Sequence, residues 1–177
     1  MKLLKIFLVS MMLNLSFIVA ASANYTSAEF QKSLVDVGYK SVFEALEESN
    51  NHFQRDIALP VQLPPISFTH SLGRLTNLDG EINDSFEITY MNKDYIKNHY
   101  EIRVVPSMYR IEFRDGQIDQ TFKLKDGNKA IYSTNKTRGF NLLAFEKDNW
   151  QYILSINKSV SDKVPARILV EIADSIK

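Results

Sequence analysis

The period of the hydrophobic pattern changes twice along this chain, and those two changes constrain its fold more than any other feature. Between residues 30 and 53 apolar side chains recur at helical spacing: Phe30, Leu34 and Val37, then Val42, Leu46 and Phe53. From residue 86 they alternate instead. Phe86, Ile88 and Tyr90 form one such set, Tyr100, Ile102 and Val104 a second, and Tyr109, Ile111 and Phe113 a third. Ile118, Phe122 and Leu124 follow less regularly, and then come "AIYST", "FNLLAFE" and "WQYILSIN". From residue 164 the spacing returns to four, with Val164, Ile168, Ile172 and Ile176, widened by Leu169 and Ala173. A helix puts every third or fourth residue on one face, and a strand puts every second. Helical stripes at both ends need a surface to lie against, and half-apolar strands between them supply it. The expected class is α+β. It comprises an antiparallel sheet of about six to eight strands, with N-terminal helices and a C-terminal amphipathic helix packed on one face.

Local signals place the boundaries. Thr26 with Glu29, and Ser41 with Glu44, have the spacing of a capping box, in which hydroxyl and carboxylate satisfy the free N–H groups of a helix start. Gly38 lies between them, where a helix end favours a residue that tolerates a left-handed backbone. Asp115-Gly116, Asp126-Gly127, Gly139 and Asp148-Asn149 separate the later strands by short turns, which join antiparallel neighbours. The last three or four strands should therefore form a meander. Asp162 is placed to cap the closing helix, with Pro165 in its first turn.

The segment "DIALPVQLPPISFTH", residues 56–70, holds Pro60, Pro64 and Pro65. A linker would need an independent fold before it, and residues 24–55 are too few and too amphipathic to form one. Ile57, Leu59, Val61, Leu63 and Ile66 call for burial, so the segment reads as a crossing from the helices to a sheet edge, where prolines are tolerated.

The chain begins "MKLLKIFLVSMMLNLSFIVAASA". Two lysines precede an apolar run shorter than a bilayer span, and Ala21-Ser22-Ala23 offers small residues at a cleavage site, at Ala21 and Ala23. This is a secretory signal pattern over residues 1–23, with an uncleaved membrane anchor as the alternative; cleavage is expected to leave residues 24–177 as one secreted domain with no stable membrane anchor. Lys+Arg and Asp+Glu balance at 21 each, and loss of Lys2 and Lys5 leaves a slight acidic excess. Such a chain has no overall electrostatic footprint for nucleic acid. It contains no cysteine, so neither a disulfide scaffold nor lipid attachment through cysteine is open to it.

The residues that carry chemistry are sparse. His52, His70 and His99 lack the spacing of a metal site, and solvated or strand-end histidines are the simpler reading. Asp79, Glu81, Asn83 and Ser85 resemble the start of a calcium loop, but Asp84 stands where the loop needs glycine and Tyr90 where it needs glutamate. Ser155 and Lys158 have an S-x-x-K spacing inside an alternating strand, not at a helix start. Glu101 and Glu112 offer a carboxylate pair across strands, with Arg103 and Arg110 beside them as the more ordinary partners. No catalytic, cofactor-binding or metal-ligating residue is expected from these patterns.

The order of features adds a likeness. "EALEESNNHF" leads into "LPVQLPPISF", then "FEITYMN", "YEIRVVP", "LLAFEKDNWQYILSINKSV" and a closing "ILVEIADSIK". This resembles a family of exported domains of unknown function from Gram-positive, spore-forming bacteria. Its members occur as lipoproteins, as secreted proteins and as the extracytoplasmic part of anti-sigma factors. The most specific pieces are the Leu59-Pro60 and Leu63-Pro64 steps, the Trp150-Tyr152 strand and Ile172 to Ser175. The resemblance implies no catalytic residues. With the empty catalytic inventory, it leads to the expectation of a secreted, non-enzymatic domain that binds a protein partner, a cell-envelope component or a small apolar ligand. The alternative is a small secreted hydrolase whose site is assembled from scattered histidines and carboxylates.

Overall fold

The computed structural model describes residues 26–78 and 80–177. The signal pattern, with its cleavage site at Ala21 and Ala23, lies outside them, as does Asp79. Helices α1 (Ser27–Val35) and α2 (Val42–Phe53) come first, followed by strands β1 (His70–Thr76), β2 (Ser85–Met91) and β3 (His99–Pro106). Strands β4 (Gln120–Lys123), β5 (Lys129–Thr137), β6 (Phe140–Lys147) and β7 (Trp150–Asn157) complete the sheet, and α3 (Ala166–Ala173) closes the chain. The class is α+β, with a seven-stranded antiparallel sheet in the order β1-β2-β3-β7-β6-β5-β4. Two meanders, β1 to β3 and β4 to β7, therefore join at the β3–β7 pair.

Register explains the core. Phe86, Val104, Tyr152, Phe145 and Ala130 lie side by side across five strands. Ile88, Ile102, Leu154, Leu143 and Tyr132 form the next row. Both rows are buried and belong to one continuous cluster with Ala45 and Ile57, and with Leu169, Ile172 and Ala173 of α3. Both capping boxes form as expected: Thr26 with Glu29, and Ser41 with Glu44. Gly38, at φ +92°, makes the turn between the first two helices.

The apolar stripe of α2 is only half-buried. Its closest face is made of small residues, Ala45 and Ser49, both fully buried. Ser49 satisfies its hydroxyl by donating to the Ala45 carbonyl at 2.7 Å. Opposite them on β1 stands Gly73. A Cβ there would lie 2.7 Å from the Ala45 Cβ and 3.2 Å from the Val42 Cα, so glycine permits this helix to ride directly on the strand.

Three expectations need correction. Residues 109–113 are not a strand. Ser107–Tyr109 is a single 3-10 turn, and the segment after it crosses the other face of the sheet. There Ile111 and Phe113 cover Leu142, Ala144 and Ile153. The alternation is real, but its partner is a side chain rather than a strand. The Gln151 amide accepts from the Ile111 N–H at 2.8 Å and donates to the Ile111 carbonyl at 3.1 Å, standing in for one rung of a ladder. Second, Asp162 does not cap α3: Pro165 occupies the N-cap position, with no side-chain cap. Third, within residues 56–70 the burial is divided. Ile57 is buried and Leu59 and Ile66 pack on the core, whereas Val61 and Leu63 are exposed. The segment is a strap across the core. Pro60 bridges to Ile176, and Ser175 Oγ accepts from the Gln62 N–H.

Gly73→Ala should destabilise the protein by about 1–3 kcal/mol, because α2 must move off β1 and the core beneath it loosens. Urea unfolding of the two proteins measures this. An unchanged midpoint would mean the helix does not depend on that contact.

Candidate functional site

The three histidines do not converge. His70 Nδ1 is 2.7 Å from Thr69 Oγ1, with the Phe30 ring edge-on at 5.0 Å. His99 packs against Phe140, and burial pulls its pKa below the usual histidine value. His52 lies elsewhere, paired with Asp84. Among the described residues no group of three or more His, Cys, Asp or Glu is placed to hold a metal ion.

Asp84 was a misfit in the calcium-loop pattern, and its position shows why. The Glu81–Asn83 turn precedes it, and the Asp84 side chain turns inward, only 3% exposed. Oδ2 meets His52 Nε2 at 2.8 Å and Oδ1 accepts from the Leu78 N–H at 3.0 Å. The carboxylate thus ties the β1–β2 loop to the end of α2, and it is unavailable as a cation ligand.

Beside this pair opens a cleft of about 400 Å³. Its walls come from three places in the chain: His52, Phe53 and Arg55 at the end of α2, Pro106 to Tyr109 beyond β3, and Asn149 in the β6–β7 hairpin. Each wall has a local cause. Gln54 adopts a left-handed backbone at φ 52°, which ends α2 and turns Arg55 toward the sheet. Asp148 and Asn149 are both at positive φ, the geometry of a two-residue hairpin that Asn and Asp tolerate. This turn presents the Asn149 carbonyl inward, where it accepts from the Ser107 N–H at 3.0 Å and from an Arg55 Nη at 3.2 Å. One carbonyl thereby joins all three walls.

The Arg55 guanidinium lies 3.7 Å over the Trp150 ring, a cation–π contact. Its Nε and the Ser107 hydroxyl are both shut off from water without a hydrogen-bond partner. Both atoms are closed to a ligand as they are to water, and it is the Arg55 guanidinium as a whole that lines the cleft. Phe53, Pro106 and the exposed Met108 supply apolar surface beside the guanidinium. The cleft is thus suited to a group that accepts hydrogen bonds and carries an apolar body. His52, Asp84 and Ser107 are residue types that can perform nucleophilic catalysis; His52 Nε2 is engaged by Asp84, and Ser107 Oγ makes no hydrogen bond to the imidazole.

The sequence pointed to His52 only as one of three histidines. Arg55, Asp84, Ser107 and Asn149 were not singled out as a group, since they come together only through the β1–β2 loop and the turn after β3. The Asp148-Asn149 turn was the one legible signal.

The Glu101 and Glu112 pair does not form. Glu112 lies in the crossing segment and stands 3.8 Å from Arg110. Glu101 sits on β3, opposite Thr89 and Ser155. Its surroundings are Glu87, Arg103 and Arg74. Tyr39 reaches the same face, donates to Glu87, and lies 4.5 Å below the Arg74 guanidinium. Burial, and then the nearby Glu87 charge, raise the Glu101 pKa to about 7, against the pull of Arg103 and Arg74. Burial and the Glu87 contact raise Tyr39 to about 12. Ser155 is half-buried in β7 and Lys158 lies in the turn beyond it, so the S-x-x-K spacing spans a strand end.

Known protein families, curated proteins and solved structures offer no match to this chain.

The Glu101 environment predicts a pH effect. Its folded pKa lies above the unfolded value of 4.5, so the folded state holds a proton that the unfolded state releases between pH 4.5 and about 7. Stability should therefore fall as pH rises through that window. Glu101→Gln should flatten the dependence and raise stability at pH 8, on the order of 1 kcal/mol after solvent screening. Urea midpoints of both proteins from pH 4 to 8 test this, and parallel curves would exclude Glu101 as the source.

Proposed function

We propose that this chain is an exported, non-enzymatic binding domain, and that the cleft between α2 and the β6–β7 hairpin holds its ligand or a segment of its partner. The observation that carries the reading is the cleft of about 400 Å³ itself, in which the Arg55 guanidinium is held in place beside the apolar surface of Phe53, Pro106 and the exposed Met108. Arg55 is held by Trp150 and Asn149, so its guanidinium is ordered before any ligand arrives, and pre-ordering reduces the entropy lost on binding. Export is supported by the signal pattern and by the likeness to exported domains of spore-forming bacteria. The ligand class this favours is a cell-envelope component or partner segment with a carbonyl or carboxylate next to an apolar stretch.

A hydrolase reading has one observation behind it, the His52–Asp84 pair at the same cleft. The nucleophile it would use nearby is Ser107, whose Oγ makes no hydrogen bond to His52.

Native mass spectrometry of the protein recovered from its secreting host tests the proposal. The wild type should carry an additional bound mass or partner that Arg55→Ala loses at least tenfold, the scale of one charge-assisted hydrogen bond. Equal occupancy of the two proteins would overturn the assignment of the cleft. Turnover of an ester or peptide substrate that disappears in His52→Ala would establish the hydrolase instead.

A further inference from the structure

A second surface lies at the opposite end of the sheet, formed by the β2–β3 loop, the β5–β6 turn and the turns after β7. The β2–β3 loop, residues 92–98, is fastened in place. Asn92 is buried, and its side-chain oxygen accepts from the N–H groups of Asp94 and Tyr95, both at 2.9 Å. Its amide nitrogen donates to the Ser67 carbonyl and hydroxyl, each at 3.1 Å, and Asn98 donates to the same carbonyl at 3.0 Å. The Asn92 N–H closes the loop on the Asn98 carbonyl at 3.1 Å. A loop secured from both sides nevertheless holds its two largest apolar side chains in water, Tyr95 at 68% and Ile96 at 79% exposed.

Single exposed apolar residues need no explanation, but two adjacent ones at the tip of a fastened loop call for one. The charge around them is one-sided. Lys93, Lys97, Arg138, Lys158 and Lys163 lie in the loops and turns at this end, against Asp94 and Asp162. The Asp94 carboxylate is paired with Lys93. The loops are contiguous: Lys158 N–H donates to the Gly139 carbonyl at 3.0 Å, and residues 94–98 share a groove with Ser159, Val160 and Lys163. A chain of balanced net charge thus gathers a cationic excess at the same end as its protruding Tyr–Ile tip.

We infer that this end of the molecule is a peripheral docking surface for an anionic lipid bilayer. Tyr95 and Ile96 enter the headgroup region, where a tyrosine ring places its apolar body inward and its hydroxyl at the water side. The lysines and Arg138 face the negative surface potential, whose attraction falls off within about a Debye length. A contact made by two side chains and a basic rim is superficial and reversible. It would hold the exported protein near the outer face of a membrane, with the cleft at the far end of the strands pointing away.

The test is co-sedimentation of the chain starting at Asn24, which has no apolar leader of its own to insert. Vesicles of mixed phosphatidylglycerol and phosphatidylcholine are compared with vesicles of phosphatidylcholine alone. Binding to the anionic vesicles is expected, weakened as salt rises from about 0.1 to 0.5 M. It should fall about tenfold in Tyr95→Ser/Ile96→Ser and again in Lys97→Gln/Lys163→Gln, all four being exposed side chains. Absence of binding to either vesicle overturns the inference and leaves Tyr95 and Ile96 to a protein partner. Binding that is indifferent to the Tyr95/Ile96 substitution, or equal on neutral vesicles, overturns it as well.

Discussion

Everything in this fold hangs on how one indole is placed. Trp150, 1% exposed, opens β7 at the edge of the core, and its Nε1 donates to the Asp56 carbonyl at 3.0 Å. Phe53 stands edge-on to its ring at 5.1 Å and the Arg55 guanidinium lies over it. Two residues on, the Tyr152 hydroxyl donates to the Ala58 carbonyl at 3.1 Å, and its pKa is pushed up to about 12, chiefly by burial. Two aromatic side chains of one strand thus hold the chain at the point where it leaves α2. A buried indole or phenol needs a partner for its polar atom, and here both partners are main-chain carbonyls of the strap. The clamp fixes Arg55, and Arg55 with the Asn149 carbonyl forms the cleft. The proposed function therefore depends on packing that is first of all structural.

The two faces of the sheet meet different demands. One takes α2, the strap and α3, and it allows α2 close approach because Gly73, Ala45 and Ser49 are small. The other carries an apolar cluster at Leu142, Ala144 and Ile153, where the Ile111 segment lies, and bears charged residues across β1 to β3. There Glu87 and Glu101 share one neighbourhood with Arg74 and Arg103, at the cost of a carboxyl that titrates near neutrality.

Much of this was legible in residue order. Alternation located six of the seven strands, because each has one face against a core that rejects polar side chains. The capping boxes at Thr26 and Ser41 were legible because the chemistry is local. What failed was non-local. Residues 109–113 alternate like a strand, yet the rung they need comes from the Gln151 side chain, which no periodicity reveals. Strand β1 was missed since its sequence, "HSLGRLT", carries Gly73 where the helix rides rather than an apolar residue. Asp84 looked like a failed calcium ligand because its real partner, His52, is 32 residues away. Net charge concealed the basic end, since a sum over the chain says nothing about where the fold places each lysine.

Trp150 is the only tryptophan, so its fluorescence reports on the junction of helices, strap and sheet and on nothing else. The most direct measurement is urea unfolding followed at once by Trp150 fluorescence and by far-ultraviolet circular dichroism of residues 24–177. If the clamp makes helices and sheet one cooperative unit, the two signals trace a single transition with the same midpoint. A fluorescence change that precedes the loss of secondary structure would show that the strap detaches on its own, and the cleft would then lack the fixed wall on which its proposed role rests.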